Sequence, residues 1–286
     1  MTTVRVAVPR KGRPLEAVLS RFADAADAPD RAEVVIETLR HEKAVTKGQH
    51  DPHHSVYDRL AEYSDPADPL APEYTLLRDA REGMPRRVVF DSCGFELDDH
   101  TVQLVGREEP FRALRKHEFA LGFDSADLVL EEVVELRGEP LSSLEDVNER
   151  IDPRDTDVRV VSGLGDTVHH TLLSNEGVLT REAIAAYAGP LCISPRYERL
   201  VEAVVGSDAL DGVEFCYPNG DEEEAAIAEI GVGVYLTVTG STAREYGLDL
   251  GERLFPSETV LLANGDETTA AAEAVADTLF ETPLPA

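Results

Sequence analysis

From residue 181 to residue 264 the chain alternates short apolar runs with helical segments, and this rhythm limits the possible folds more than any other feature. Helices are expected over 181–188, 196–205 and 222–230. Strands are expected at Leu191-Cys192-Ile193-Ser194, 213–217, 234–238 and 259–264, with a last helix over 268–279. Alternation at this spacing implies parallel sheet layers joined by right-handed crossovers.

Within that rhythm, Val234-Tyr235-Leu236-Thr237-Val238 is β-branched and apolar with no helical period, so it reads as a buried strand. Thr239-Gly240-Ser241-Thr242 then breaks it, and a helix starts at Ala243-Arg244. In such a turn the glycine lets the backbone approach a ligand, while amides and hydroxyls converge as donors, which suits a phosphate. The same residue types are ordinary caps and turn formers, so the loop alone leaves both readings open.

The chain begins with a strand, Val4-Arg5-Val6-Ala7-Val8, stopped by Pro9. A basic turn, Arg10-Lys11-Gly12-Arg13-Pro14, leads into a helix with Leu15, Val18, Leu19 and Phe22 on one face. Three cations therefore stand beyond the carboxyl end of a first strand, where α/β folds place ligands; the competing reading is a solvated basic loop. Strands are next expected at 33–38 and 86–90. Between them, Pro52, Pro66, Pro69 and Pro72 mark an inserted surface excursion over 40–85 with short helical pieces at 56–63 and 74–80. His50-Asp51-Pro52-His53-His54 has metal-ligand chemistry, but the proline and the loop setting favour surface histidines, and no metal site is assigned.

Further strands are expected at 102–105 and 158–161, helices at 110–119 and 141–151, and a strand, polar turn and helix start carrying Asp127 over 120–132. Ser162-Gly163-Leu164-Gly165 lacks the remaining spacing of a dinucleotide fingerprint. His169 and His170, adjacent and so directed to different faces, read as structural.

The 286 residues are 42% hydrophobic, enough for a real core. The formal charge is −29, and of 27 basic residues only Lys11, Lys43, Lys47 and Lys116 are lysines. A dispersed acidic excess with lysine nearly eliminated resembles proteins that work in concentrated salt, where screening removes self-repulsion. A docking surface for a basic partner is the weaker reading, since no acidic block stands out. No basic stripe is available to neutralise nucleic acid. Cys93, Cys192 and Cys216 are far apart in sequence and argue against a zinc site or a disulfide framework. With no signal peptide and no apolar run of spanning length, a soluble, cytoplasmic protein is expected.

Several short segments, in order along nearly the whole chain, resemble the ATP phosphoribosyltransferases that open histidine biosynthesis. Arg5 to Arg13 looks like the family's strand running into Pro-x-Lys-Gly-Arg, and 111–131 like its helix and acidic turn. Cys192-Ile193-Ser194-Pro195-Arg196-Tyr197 is similar to the turn opening the second lobe. Asn219-Gly220-Asp221-Glu222-Glu223 stands where the family has Asn-Gly-x-x-Glu. Thr239-Gly240-Ser241-Thr242 matches its Thr-Gly-Thr/Ser-Thr phosphate loop, and Leu261-Leu262-Ala263-Asn264 its closing strand.

The resemblance implies an α/β, two-lobed, type II periplasmic-binding-protein-like fold with mixed sheets flanked by helices and a cleft between lobes. Lobe I would comprise 1–118, with the excursion 40–85, completed by 245–286; lobe II would be 119–244. It further implies transfer of phosphoribosyl from phosphoribosyl pyrophosphate (PRPP) to ATP with Mg2+ and release of pyrophosphate. Thr239, Gly240, Ser241 and Thr242 would cradle the 5′-phosphate. Lys11 and Arg13 would reach the pyrophosphate or triphosphate from the other lobe, and Asp127 and Glu223 would serve as polar or metal-linked groups. With no room after Asn264 for a regulatory domain, a short form is implied, a homo-oligomer working with a separate regulatory subunit. Tyr235 and Val238 depart from the pattern, because the family carries acidic or polar residues there, and the excursion has no counterpart in it. A non-catalytic paralogue binding a nucleotide or sugar phosphate, and a bilobal binder of another anion, are the alternative readings.

Overall fold

The structure, a computed structural model, describes residues 2–78, 86–141, 143–165, 168–218 and 223–281. The chain divides into two compact units, one formed by Met1–Asp124 with Leu261–Ala286 and the other by Ser125–Val260. Both units are α/β with mixed sheets flanked by helices, the second inserted in the first, which is the fold class expected.

The first unit runs β1 (Thr2–Pro9), α1 (Gly12–Ala25), α2 (Pro29–Thr46), α3 (Val56–Tyr63), β2 (Glu73–Arg78), β3 (Arg86–Leu97), β4 (His100–Arg107), α4 (Pro110–Arg115) and β5 (Leu121–Ser125). β1 pairs in parallel with β4 and β5, while β3 is antiparallel to β4 and β2 to β3. On α1, Leu15, Val18, Leu19 and Phe22 are all fully buried, as their spacing predicts. Phe22 meets Phe95 and Phe123 at ring-centroid distances of 5.9 and 6.0 Å. Burying each such side chain contributes about 1.5–3 kcal/mol.

Three expectations for this unit are corrected. Residues 33–38, read as a strand, lie in the middle of α2, which Pro29 opens at a first-turn position and which buries Ala32, Val35 and Glu42 at helical intervals. Residues 74–78, read as helical, form β2, and 79–80 fall outside the described residues. The excursion is more than surface, because Arg59 of α3 makes a buried two-pronged ion pair with Glu42 of α2, at 2.6 and 2.8 Å. The Tyr63 hydroxyl also donates to Glu42, at 2.9 Å.

The second unit continues with α5 (Ala126–Glu132), β6 (Val158–Gly163), β7 (Val168–Ser174), α6 (Arg181–Ala185), β8 (Gly189–Cys192), α7 (Glu198–Val205), β9 (Val213–Cys216), α8 (Glu223–Ile230), β10 (Val232–Thr237), α9 (Ser241–Glu245) and β11 (Asp249–Ser257). β12 (Thr259–Asn264) then leads back to α10 (Ala270–Glu281). The larger sheet has the order β2-β3-β4-β1-β5-β12-β6 and the smaller β11-β7-β10-β8-β9.

The expected parallel layering holds for β8 with β9 and β10, but β7 is antiparallel to both β10 and β11. Neither β7 nor β11 is evident in the sequence. β11 carries Pro256 and two register shifts, which break its period-2 pattern. The helix expected over 141–151 is a 3-10 turn, Glu145–Arg150. Cys192 and Cys216, distant in sequence, are register partners on β8 and β9, and both are free thiols. Among the described residues no helix is long and apolar enough to cross a membrane.

Candidate functional site

The strand, turn and helix predicted around Gly240 are all present as β10, the loop and α9. Their foundation is a buried apolar cluster of Leu173, Cys192, Ile227, Ala243 and Leu248, against which Tyr235 and Leu250 pack. Gly240 is left-handed, φ +67°, and a Cβ there would press on the Leu250 side chain, so any other residue would be strained in its backbone and would have to displace Leu250. A carboxylate at this position would therefore disturb the fold as well as the loop's charge.

Around the buried glycine, Thr239, Ser241 and Thr242 stay exposed. Thr239 Oγ1 lies 3.2 Å from Ser241 Oγ and accepts from the Ser241 amide at 3.4 Å. Arg244, which the sequence reading did not select, donates to the Thr239 carbonyl at 3.0 Å and sets a guanidinium one turn beyond the hydroxyls. Such a loop can offer neutral donors and a cation to an anion.

Glu223 opens α8 and is half-buried; the rest of its motif, Asn219-Gly220-Asp221-Glu222, lies outside the described residues. Burial pushes its carboxyl above the usual range and Glu224 adds to that, against the opposing charge of Arg196. It shares a crevice with Ser194, Pro218 and Tyr235. Burial, then Glu224 and Glu223, raise the Tyr235 phenol. Where the resemblance calls for an acid at 235, the structure thus has a neutral phenol with two carboxylates near it.

Asp127, in the first turn of α5, is only 3% exposed. Its Oδ2 accepts from Ser257 Oγ at 2.7 Å, and Oδ1 faces the fully buried His170. The His170 ring meets Tyr197 edge-on, centroids 4.6 Å apart. Burial pushes the Tyr197 phenol up to about 12, with Asp127, Glu131 and Glu223 raising it further against Arg196. His169, on the opposite face of β7, is held below its usual range by burial and then by Arg253. The two adjacent histidines therefore divide as expected, and the pair His170–Asp127 is internal to this unit.

In the first unit, Arg10 is turned inward, donating from Nε to the Gly106 carbonyl at 3.1 Å and lying 3.7 Å from Asp91. Lys11 and Arg13 remain exposed at the start of α1, separated by Gly12 at φ +80°. Lys11 and Gly12 border a cavity whose other cations, Arg40, Lys43, Lys47 and Arg87, the sequence reading missed. The spacing 40, 43, 47 places all three on one face of a helix, a signal masked by the strand-like Val34-Val35-Ile36 just before it. His50, His53 and His54 are exposed between α2 and α3, and among the described residues no group of three or more His, Cys, Asp or Glu could hold a metal.

The predicted residues thus fall into four groups: Lys11 with Arg13; Thr239, Gly240, Ser241 and Thr242; Glu223 beside Tyr235; and Asp127 among buried partners.

A protein family described as halobacterial ATP phosphoribosyltransferase matches residues 1–284. No curated protein matches the chain. Among solved structures it is similar to the ATP phosphoribosyl transferase (HisG:HisZ) complex from Thermotoga maritima, at 13% identity and a TM-score of 0.47, over 97% of this chain and 96% of that one. It is also similar to YhfZ from Shigella flexneri, at 10% identity and a TM-score of 0.47 over 98% and 88% of the two chains. An ancestral arginine-binding protein bound to arginine has 12% identity and a TM-score of 0.35 over 63% and 74%.

Proposed function

Because the chain belongs to the halobacterial ATP phosphoribosyltransferase family, we propose that it transfers the phosphoribosyl group of PRPP to N1 of ATP, the first step of histidine biosynthesis. The N1 lone pair forms a bond to the anomeric carbon as the carbon–oxygen bond to pyrophosphate breaks, and the electron pair leaves with the pyrophosphate. Such a displacement needs position and charge more than covalent chemistry. The observation that supports this reading is the loop at Gly240, where three exposed hydroxyls surround a left-handed glycine packed against Leu250.

In this reading Thr239, Gly240, Ser241 and Thr242 hold the 5′-phosphate, with Arg244 adding a cation. Lys11 and Arg13 are assigned to the pyrophosphate or triphosphate. Glu223, half-buried in the crevice beside Tyr235, could supply one carboxylate ligand to a divalent cation completed by phosphates and water, which is how Mg2+ is usually held. Mg2+ bound there would neutralise the leaving pyrophosphate. Asp127, engaged by Ser257, positions the start of α5. A homo-oligomer and a separate regulatory subunit are part of the same proposal.

A second reading is favoured by Tyr235 and Val238, which put a phenol and an exposed apolar side chain where the resemblance expects acidic or polar groups. It is a non-catalytic paralogue that binds a nucleotide or sugar phosphate. Pyrophosphate release in molar salt with PRPP, Mg2+ and a panel of nucleotides separates the two. Release that requires both PRPP and ATP supports transfer; thermal stabilisation by ligand without release supports the paralogue.

A further inference from the structure

Cys192 and Cys216 are the last residues of β8 and β9 and stand opposite each other in the parallel register, where the Ile193 amide donates to the Cys216 carbonyl at 3.0 Å. Register partners carry their side chains on the same face of a sheet. Cys216 accordingly packs against the apolar cluster that contains Cys192 and Ile227 of α8. Cys192 is 1% exposed and Cys216 half-buried, so one thiol is sealed and the other reaches the surface. Cys93 is buried in β3 of the first unit, with its thiol 3.6 Å from the Leu70 carbonyl.

We propose that Cys192 and Cys216 form a modification site that closes reversibly to a disulfide by exchange with a low-molecular-weight disulfide. Adjacent strands lie about 4.8 Å apart, inside the Cα separations of about 4.4–6.8 Å that a disulfide spans. A relaxed disulfide brings its Cβ atoms to about 3.8 Å. Closure therefore draws the ends of β8 and β9 together, and the resulting strain leaves the bond easily reduced.

In the first step the Cys216 thiolate attacks one sulfur of the reagent, RSSR, whose S–S bond breaks and releases RS−. The Cys192 sulfur, giving up its proton, then attacks the Cys216 sulfur and expels the second RS−. The protein loses two electrons and two protons, and RSSR becomes two RSH. Access and acidity set this order. Burial pushes the Cys192 thiol up to about 12, with Cys216 adding to the shift. At Cys216 burial also raises the thiol, but a hydrogen bond from Cys192 opposes it. The second step is intramolecular, and proximity offsets the weak acidity of Cys192.

The pair adjoins the crevice of Glu223 and Tyr235: Cys192 lines it, and Cys216 leads through Tyr217 to Pro218, which lines it too. Closure moves a wall of that crevice.

The test is incubation of the full chain in molar potassium chloride with 2-hydroxyethyl disulfide, then alkylation of the remaining thiols and peptide mapping by mass spectrometry. One link between the Cys192 and Cys216 peptides is expected, with a mass loss of about 2 Da, while Cys93 is alkylated only after unfolding. Dithiothreitol should restore both thiols in the folded chain. Cys192→Ala should trap the reagent on Cys216 as a mixed disulfide, and Cys216→Ser should take up no reagent. Serine keeps the size of a half-buried side chain, so Cys216→Ser carries the test if Cys192→Ala fails to fold. No link between Cys192 and Cys216, a mixed disulfide on the parent that never closes, or a link that dithiothreitol cannot open without unfolding overturns the proposal. These readouts stand apart from the transfer reading: a chain that forms the link yet never releases pyrophosphate keeps this site and loses the transferase.

Discussion

His170 places Nε2 3.1 Å from Asp127 Oδ1, with both side chains out of solvent. The distance is that of a hydrogen bond but the alignment is not, and neither atom has another hydrogen-bond partner among the described residues. Asp127 is therefore tied chiefly through Oδ2 to Ser257. Truncating it would leave a buried imidazole and a hydroxyl facing an empty space. Asp127→Ala is expected to lower unfolding free energy by about 2 kcal/mol or more, and Ser257→Ala by about 1 kcal/mol. Urea midpoints for the two variants measure the difference; equal midpoints would show that His170 adds nothing to Asp127's role.

Acid should loosen the junction of α2 and α3. Burial alone would raise the Glu42 carboxyl, but hydrogen bonds from Arg59 and Tyr63, with the Arg59 charge, outweigh it and hold the group below its usual value. A carboxyl depressed in the folded state stabilises above its unfolded value, near 4.5, and that contribution is lost as pH falls through the lower folded value. Arg59→Ala should cost about 3 kcal/mol at neutral pH, because Glu42 would be left buried without its cation. It should also flatten the fall in stability between pH 4.5 and more acidic solution. Chemical denaturation across that range checks both, and an unchanged acid slope in the variant would assign the loss to other carboxylates.

Of the elements that carry the proposed function, the loop at Gly240 and the basic turn at Lys11 are legible in the sequence, because each sits where a strong strand pattern stops at glycine or proline. The middle of α2 is not. Val34-Val35-Ile36 is β-branched, and local propensity points to a strand, yet Val34 is 51% exposed and Val35 fully buried, as a helix face requires. Pro29 and Asp30 were the start signal that could have corrected it. That single misreading also hid the cavity, since Arg40, Lys43 and Lys47 converge only when the chain between them is helical. β7 is hidden for a different reason: after Val168 it runs through two histidines and a threonine, and their burial depends on β10 and β11 on either side.

The charge of −29 predicts salt dependence. At millimolar salt the carboxylates repel over tens of ångströms, whereas in molar salt screening acts within about 3 Å. The melting temperature should rise steadily from dilute buffer to molar potassium chloride. A flat profile would mean that the acidic excess is balanced locally and serves another purpose.

The second unit is an uninterrupted stretch of chain, whereas the first is finished only by β12 and α10, whose Ala272, Val275 and Leu279 are buried. On the ribosome the leading segment must wait for that final stretch, on the order of ten seconds at ordinary elongation rates. Throughout that interval its half-built sheet lacks the covering that α10 later brings. The dense negative charge would then act as a solubiliser of nascent protein, holding apart neighbouring chains on a polysome until the last helix emerges.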